Sequence, residues 1–326
     1  LSQQRPVTLT KDDLYGRLHD IISKSSDYFE LQAKDTRKLL FTVKGTSDHS
    51  SVVISTNEEV TKKVVDAAMT CGIIHTQIAL VDANMTDFLL NNNSKSTHNA
   101  KEFSSWFSKV TNSRILVLDT NAIMHRSLSS LRFTIGADII QQLIVYIPRL
   151  SVLEMERSAN VDDRRSEKKR LIMSAAAELF FLKRSGAILL PQLEKETFEA
   201  FSRVANDQIT DSWIRREIEQ ARDKEEYLKE EDKIRRVTLF TADLINALSA
   251  IAEGIDTMFI SLVDYDKTST RSSSLEQITL LIIMTAIIFE EVNILINNKK
   301  FLFKGIWEGK TPLEWLTDSI QLLESA

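Results

Sequence analysis

Apolar and polar positions change character twice along the 326 residues. Between residues 114 and 262, short aliphatic runs alternate with long charged stretches that carry aliphatic residues at helical spacing. That alternation predicts a mainly parallel sheet with helices on both faces, a three-layer α/β/α arrangement. The expected strands are 115–118, 144–147, 187–190, 237–241 and 257–261. The helices between them cover roughly 162–183, 194–205, 211–221 and 225–236. Residues 1–110 read as a small α+β domain. There Thr10, Asp12 and Asp13 open an amphipathic helix with Leu14, Leu18, Ile21 and Ile22 on one face, 38–44, 51–56 and 78–81 are strands, and a second helix ends near Thr70. The polar stretch 91–101 lacks large apolar residues and predicts a linker or exposed loop.

After residue 262 a polar loop, 264–274, leads into the apolar run 278–289, too short to span a bilayer and suited to a buried helix. Phe301, Leu302 and Phe303 suggest a short strand. Thr311, Pro312 and Glu314 make a helix start, with Trp315, Leu316, Ile320 and Leu323 on the helix's apolar side. The expected division is therefore a domain at 1–110, a central α/β domain at 111–262, and a mostly helical extension at 263–326 packing on the central domain.

Composition narrows the class. Only 8 Gly and 4 Pro argue against a sandwich or barrel of many short strands. A single cysteine, Cys71, excludes an intrachain disulfide framework and a multi-cysteine zinc site. It fits a reducing compartment, and Leu1–Lys11 shows no secretory pattern, so an intracellular, soluble and most simply cytoplasmic location is expected. The net charge of −5 carries no global signature of nucleic-acid binding, so any such contact needs a local patch or a metal.

The candidate chemistry lies where strands end. Ile115-Leu116-Val117-Leu118 runs into Asp119-Thr120-Asn121, which places a carboxylate at the carboxyl end of a strand, where open α/β sheets bind ligands. Strand 237–241 ends the same way: Thr241, then Asp243, then a helix. Glu154 sits about one turn into the helix that follows strand 144–147 and Pro148. Asp207 and Asp211 both stand near the start of a helix with Ile214, Ile218 and Ala221 on one face. As single residues these acids read as readily as helix caps or solvated helix acids. Gathered at one sheet edge, they would repel one another unless a cation neutralised them, and Mg²⁺ prefers such oxygen donors.

Four segments together resemble the PIN-domain family of metal-dependent nucleases, over about residues 112–262. These are ILVLDTN at 115–121, IPRLSVLEMER at 147–157, NDQITDSWIRREIEQA at 206–221 and VTLFTADLINALSAIAEGI at 237–255. The resemblance implies a PIN-like fold and an endoribonuclease acting on single-stranded RNA. Its Mg²⁺ or Mn²⁺ would be held by Asp119, Glu154, Asp211 and Asp243, with Asp207 as the alternative to Asp211. Asn121 and Thr241 would hold the carboxylates in place. The family often has a further acid just after the last motif Asp, where this chain has Leu244 and Asn246.

Arg164, Arg165, Lys168 and Lys169 are candidate RNA phosphate contacts, or else a solvated helix face. Arg215-Arg216 and Arg235-Arg236 carry the same two readings, and Trp213 either stacks on a base or packs in the core. The second functional reading is a non-catalytic RNA-binding or scaffold protein that keeps the fold. Residues 1–110 would select substrate, restrain the nuclease, or engage a protein partner or a second copy of the chain; the sequence does not choose among these.

Overall fold

A computed structural model describes residues 5–24, 28–33, 39–45, 50–54, 61–73, 76–81, 88–90, 97–159, 167–189, 207–223, 235–262, 270–296 and 299–324. The chain divides into two compact units. One comprises Leu1–Ile74, Asp163–Ala177 and Asp264–Ala326, the other His75–Asp162 and Glu178–Val263. The strands in chain order are β1 (Val7–Leu9), β2 (Tyr28–Ala33), β3 (Leu39–Gly45), β4 (Ser50–Ile54), β5 (Thr76–Val81), β6 (Phe88–Leu90), β7 (Arg114–Leu118), β8 (Val145–Ile147), β9 (Ile188–Leu189), β10 (Arg236–Thr241), β11 (Asp256–Leu262), β12 (Thr270–Ser273), β13 (Glu291–Ile296), β14 (Lys299–Lys304) and β15 (Ile320–Glu324). The helices are α1 (Lys11–Lys24), α2 (Thr61–Thr70), α3 (Thr97–Thr111), α4 (Thr120–Met124), α5 (Ser127–Ile135), α6 (Ala137–Gln142), α7 (Arg149–Ala159), α8 (Glu167–Arg184), α9 (Asp207–Asp223), α10 (Leu244–Ala252), α11 (Leu275–Ile288) and α12 (Pro312–Leu316).

The second unit is built on a seven-stranded sheet in the order β6-β5-β11-β10-β7-β8-β9. From β11 to β9 neighbouring strands run parallel, while β5 and β6 add antiparallel strands at one edge. All five residues of β7 are buried, which is why it reads as an unbroken aliphatic run rather than an alternating one. On one face, Ile115, Val117, Val237 and Leu239 pack with Ile214, Ile218 and Ala221 of α9. The spacing of those three α9 residues, four and then three apart, gives the helix a single apolar stripe. The Arg114 guanidinium reaches the Asp256 carboxylate at 2.6 Å, tying the start of β7 to the start of β11. From β7 the chain moves outward to β8 and β9, then returns to place β10 and β11 on the other side of β7. The crevice beyond the carboxyl ends of β7 and β10 is therefore the topological switch point of the sheet.

The first unit carries an eight-stranded antiparallel sheet, β1-β15-β14-β13-β2-β3-β4-β12. Helix α11 is its core element. It starts at a capping box of Ser274 and Gln277, and every residue from Gln277 to Ile288 is buried. A helix that is apolar all round must be enclosed on all sides, and α1, α2, β13 and β14 contact this one. Among the described residues no helix is long and apolar enough to cross a membrane.

The α/β class with a parallel, helix-flanked sheet agrees with the expectation, but the division along the chain differs. Residues 75–110 do not belong with the N-terminal unit, since β5 pairs with β11 and extends the parallel sheet. Residues 264–326 are not mostly helical. Four of their segments are strands that complete the antiparallel sheet with β1 to β4. The helix expected to include Ile320 and Leu323 ends at Leu316: Asp318 takes φ 52°, and Ile320–Glu324 becomes β15, paired with β1 and β14. Residues 97–101, expected in a loop, form the first turn of α3. The helix expected at 194–205 lies outside the described residues, as does the one expected at 225–236 except for its last two residues, of which Arg236 begins β10 instead.

Candidate active site

Two acids at the switch point are each fixed by the local start of a helix. Asp119 follows β7 and caps α4; its Oδ1 accepts the Ala122 N–H at 2.7 Å, satisfying one of the orphan donors of the first turn. Asp243 follows β10 and caps α10, where its Oδ1 accepts the N–H groups of Ile245 at 2.7 Å and Asn246 at 3.0 Å. Both keep Oδ2 for side-chain partners. Thr241, fully buried at the end of β10, donates its hydroxyl proton to Asp119 Oδ2 and accepts the Asp243 N–H at 2.9 Å. One hydroxyl thus links the two acids. The Asn121 amide reaches Asp243 Oδ2 at 3.5 Å, the outer limit of a hydrogen bond.

Glu154 lies on α7, half-buried, and its Oε2 accepts the Thr120 hydroxyl at 2.5 Å, so it is joined to the residue next to Asp119. Asp211 lies on α9, close enough for its charge to act on Asp119. A further buried acid of α9, Glu217, is 3% exposed, and its Oε2 accepts the Leu150 N–H at 3.4 Å in the first turn of α7. The helix of Asp211 and the helix of Glu154 are thereby tied to each other.

Burial dominates the electrostatics. It pushes the Asp119 carboxyl up to about 7. The hydrogen bonds from Thr241 and Ala122 oppose this, the negative charge of Asp211 adds to it, and the bond from Asn246 opposes it again. Glu217 is pushed up to about 8 by burial, against the Leu150 hydrogen bond and the nearby Arg149 charge.

Asn246 contributes what the sequence reading did not assign. It is 1% exposed; its Nδ2 donates to Asp119 Oδ2 at 3.3 Å while its Oδ1 accepts from Arg215 Nη1 at 2.8 Å. Arg215 Nε in turn donates to Glu253 Oε2 at 2.7 Å. Arg215, one of the residues considered for phosphate contact, is instead 8% exposed and turned inward. Trp213 is half-buried against the core cluster with the Arg216 guanidinium 5.0 Å from its ring centre, which is the core reading of that residue. The signal for Asn246 was present in its spacing: three residues after the capping Asp243, it falls on the same helix side.

The structure brings Asp119, Asp243, Asn121 and Thr241 into one hydrogen-bonded group, adds Glu154 through Thr120, and sets Asp211 within electrostatic reach of Asp119. Among the described residues, no three or more His, Cys, Asp and Glu side chains form a group that could hold a metal ion. Arg164 and Arg165 lie outside the described residues, as do the side chains of Asp207 and Lys168. Lys169 is half-buried on α8, in the part counted with the first unit.

Compared with known proteins, residues 116–260 match the family model described as PIN domain. No curated protein matches the chain. Among solved structures, a domain of a functionally unknown protein from Methanocaldococcus jannaschii DSM 2661 is similar at 18% identity. That match covers 47% of this chain and 95% of the other, with a TM-score of 0.34.

Proposed function

Since residues 116–260 are a PIN domain, a type of domain that is generally a nuclease, we propose that this chain is a metal-dependent endoribonuclease that hydrolyses phosphodiester bonds of single-stranded RNA. The observation that carries the reading is Asp119, a fully enclosed carboxylate at the switch point of the sheet with Asp211 adding to its charge burden. A buried carboxylate is costly in its ionised form, and a cation offsets that cost. The donor set has the right chemistry: Asp119, Glu154, Asp211 and Asp243 offer only hard oxygen donors, which suit Mg²⁺ or Mn²⁺. Asp207 is the alternative to Asp211.

When bound, such an ion supplies an activated water and offsets charge on the leaving oxygen. The chain's own residues do the rest. Thr241 holds Asp119 and Asp243 in fixed relation through one hydroxyl, and Asn121 and Thr120 steady Asp243 and Glu154. Losing a contact that holds a metal ligand commonly costs ~10–100-fold in metal affinity or activity. Arg164, Arg165, Lys168 and Lys169 are the proposed phosphate contacts, and the N-terminal residues the proposed surface for a protein partner or second copy.

The test is cleavage of end-labelled single-stranded RNA and DNA with Mn²⁺ or Mg²⁺, comparing wild type with Asp119→Asn. Cleavage of RNA by the wild type and its loss in the variant are expected. Undiminished cleavage by Asp119→Asn removes the assigned site, equal cleavage of DNA removes the RNA assignment, and no cleavage with either metal favours a non-catalytic RNA-binding or scaffold role.

A further inference from the structure

The hydrogen bonds around Asp119 run on, without a gap, to an acid at the far end of α10. Glu253, half-exposed at the carboxyl cap of that helix, binds Arg215 on α9; Arg215 binds the Asn246 carbonyl; the Asn246 amide binds Asp119. The order matters because an asparagine amide has two unlike ends. With Arg215 donating to Oδ1, Nδ2 can only face Asp119. Turned over, the amide would set its NH₂ against a guanidinium and its carbonyl against a carboxylate, two like-polarity contacts in a site from which water is excluded. Arg215 also stands four residues after Asp211, on the same face of α9. Its anchorage to Asn246 and Glu253 fixes the helix that presents Asp211 against the helix that begins at Asp243.

We infer that Arg215 is a positioning residue of the site: through the Asn246 amide it fixes the direction of the Asp119 carboxylate, and through its own helix it fixes the place of Asp211. This inference rests on reading these acids as ligands of a divalent cation. Neither Arg215 nor Asn246 touches the cation or substrate in it. Their contribution is to restrict how far the Asp119 carboxylate and the Asp211 helix can turn, so that less freedom is lost when a cation binds. It also accounts for a buried guanidinium beside the apolar stripe of α9. An isolated buried charge is costly, and this one is satisfied on one side by Glu253 and spent on the other in orienting a neutral amide.

The test is Mn²⁺ binding to the full chain, read by calorimetry and by electron paramagnetic resonance of the free ion. The proteins are wild type, Arg215→Met, Asn246→Ala and the double variant, with thermal unfolding measured on each. Each single substitution is expected to weaken Mn²⁺ binding about tenfold or more, the usual size for residues that orient metal ligands. The double variant should lose less than the product of the two single losses, because both substitutions cut the path through the Asn246 amide. Arg215→Lys should fall with Arg215→Met, since one ammonium nitrogen cannot occupy both positions from which Nε reaches Glu253 and Nη1 reaches Asn246.

A role confined to stability would lower the melting temperature and leave Mn²⁺ affinity unchanged; that result overturns the inference, as do losses that multiply in the double variant. If Arg215→Met does not fold, Glu253→Gln carries the test from the half-exposed end. Weakened Mn²⁺ binding with little change in melting supports the path, and unchanged binding overturns it. A wild type that takes up no Mn²⁺ overturns the proposed function itself, whereas a wild type and Arg215→Met that bind equally overturn only the inference.

Discussion

Glu217 makes the stability of this protein depend on pH in a direction opposite to that of a surface carboxylate. It is 3% exposed, its Oε2 accepts only a long bond from Leu150, and its Oε1 has no hydrogen-bond partner among the described residues. Burial holds its proton on up to about 8, against an ordinary value of 4.5. Between these values the unfolded chain has released the proton and the native state has kept it. The native state therefore binds more protons, and stability falls as pH rises through that window, by ~1.4 kcal/mol for each pH unit. Across the whole window the loss is on the order of 5 kcal/mol, comparable with the total stability of a domain. Above about 8 Glu217 is ionised in both states, and its contribution to the slope ends.

Glu217→Gln keeps the acceptor for the Leu150 N–H and cannot ionise. Near pH 5 it should be equal to or less stable than wild type, since a buried amide NH₂ without an acceptor costs ~1–3 kcal/mol. Near pH 9 it should be the more stable of the two. Urea unfolding of both proteins at several pH values measures this directly, and in the difference between them the contributions of every other titrating group cancel, that of Asp119 included. Parallel stability curves, differing by a constant within ~1 kcal/mol over that range, would refute the reasoning.

Two further outcomes follow from single contacts. Thr241→Val keeps the shape of the side chain and removes the hydroxyl shared by Asp119 and Asp243; RNA cleavage should fall ~10–100-fold in kcat/KM, and an unchanged kcat/KM would mean that the hydroxyl is only structural. Gly305→Ala would drive a Cβ into the backbone of Ala286 and Ile287, within α11, and should cost ~1–3 kcal/mol of stability; an unaltered thermal midpoint would show that the helix yields at that point.

How much of this was legible in the sequence differs from element to element. Helix α1 and its Thr10 cap could be read from local residues, since Thr10 and Asp13 exchange hydrogen bonds within one turn. The capping boxes at Ser274 and Thr311 are equally local. β15 was misread because Trp315, Leu316, Ile320 and Leu323 fit a helical stripe, while the decision to leave the helix at Asp318 was made by β1 and β14, which take Ile320–Glu324 between them. The domain division failed for the same reason. The pairing of β5 with β11 joins segments far apart in the chain, and nothing in the periodicity of either names its neighbour.

The site shows the same separation of causes. Asp119 and Asp243 could be named from sequence because each ends a strand and caps a helix, and both requirements are met by adjacent residues. The sequence alone also fixed β7 as a buried strand, because four aliphatic residues in a row leave it no exposed face. What only the tertiary structure decided is which atoms those acids meet. Strand β10 returns beside β7, which sets Thr241 against Asp119, and helix α9 turns Arg215 inward to hold Asn246. A hydrogen bond between residues more than a hundred positions apart has no local signature. It exists because the order of strands in the sheet, set by the burial of both faces, brings two strand ends to one crevice and buries Asp119 and Thr241 there.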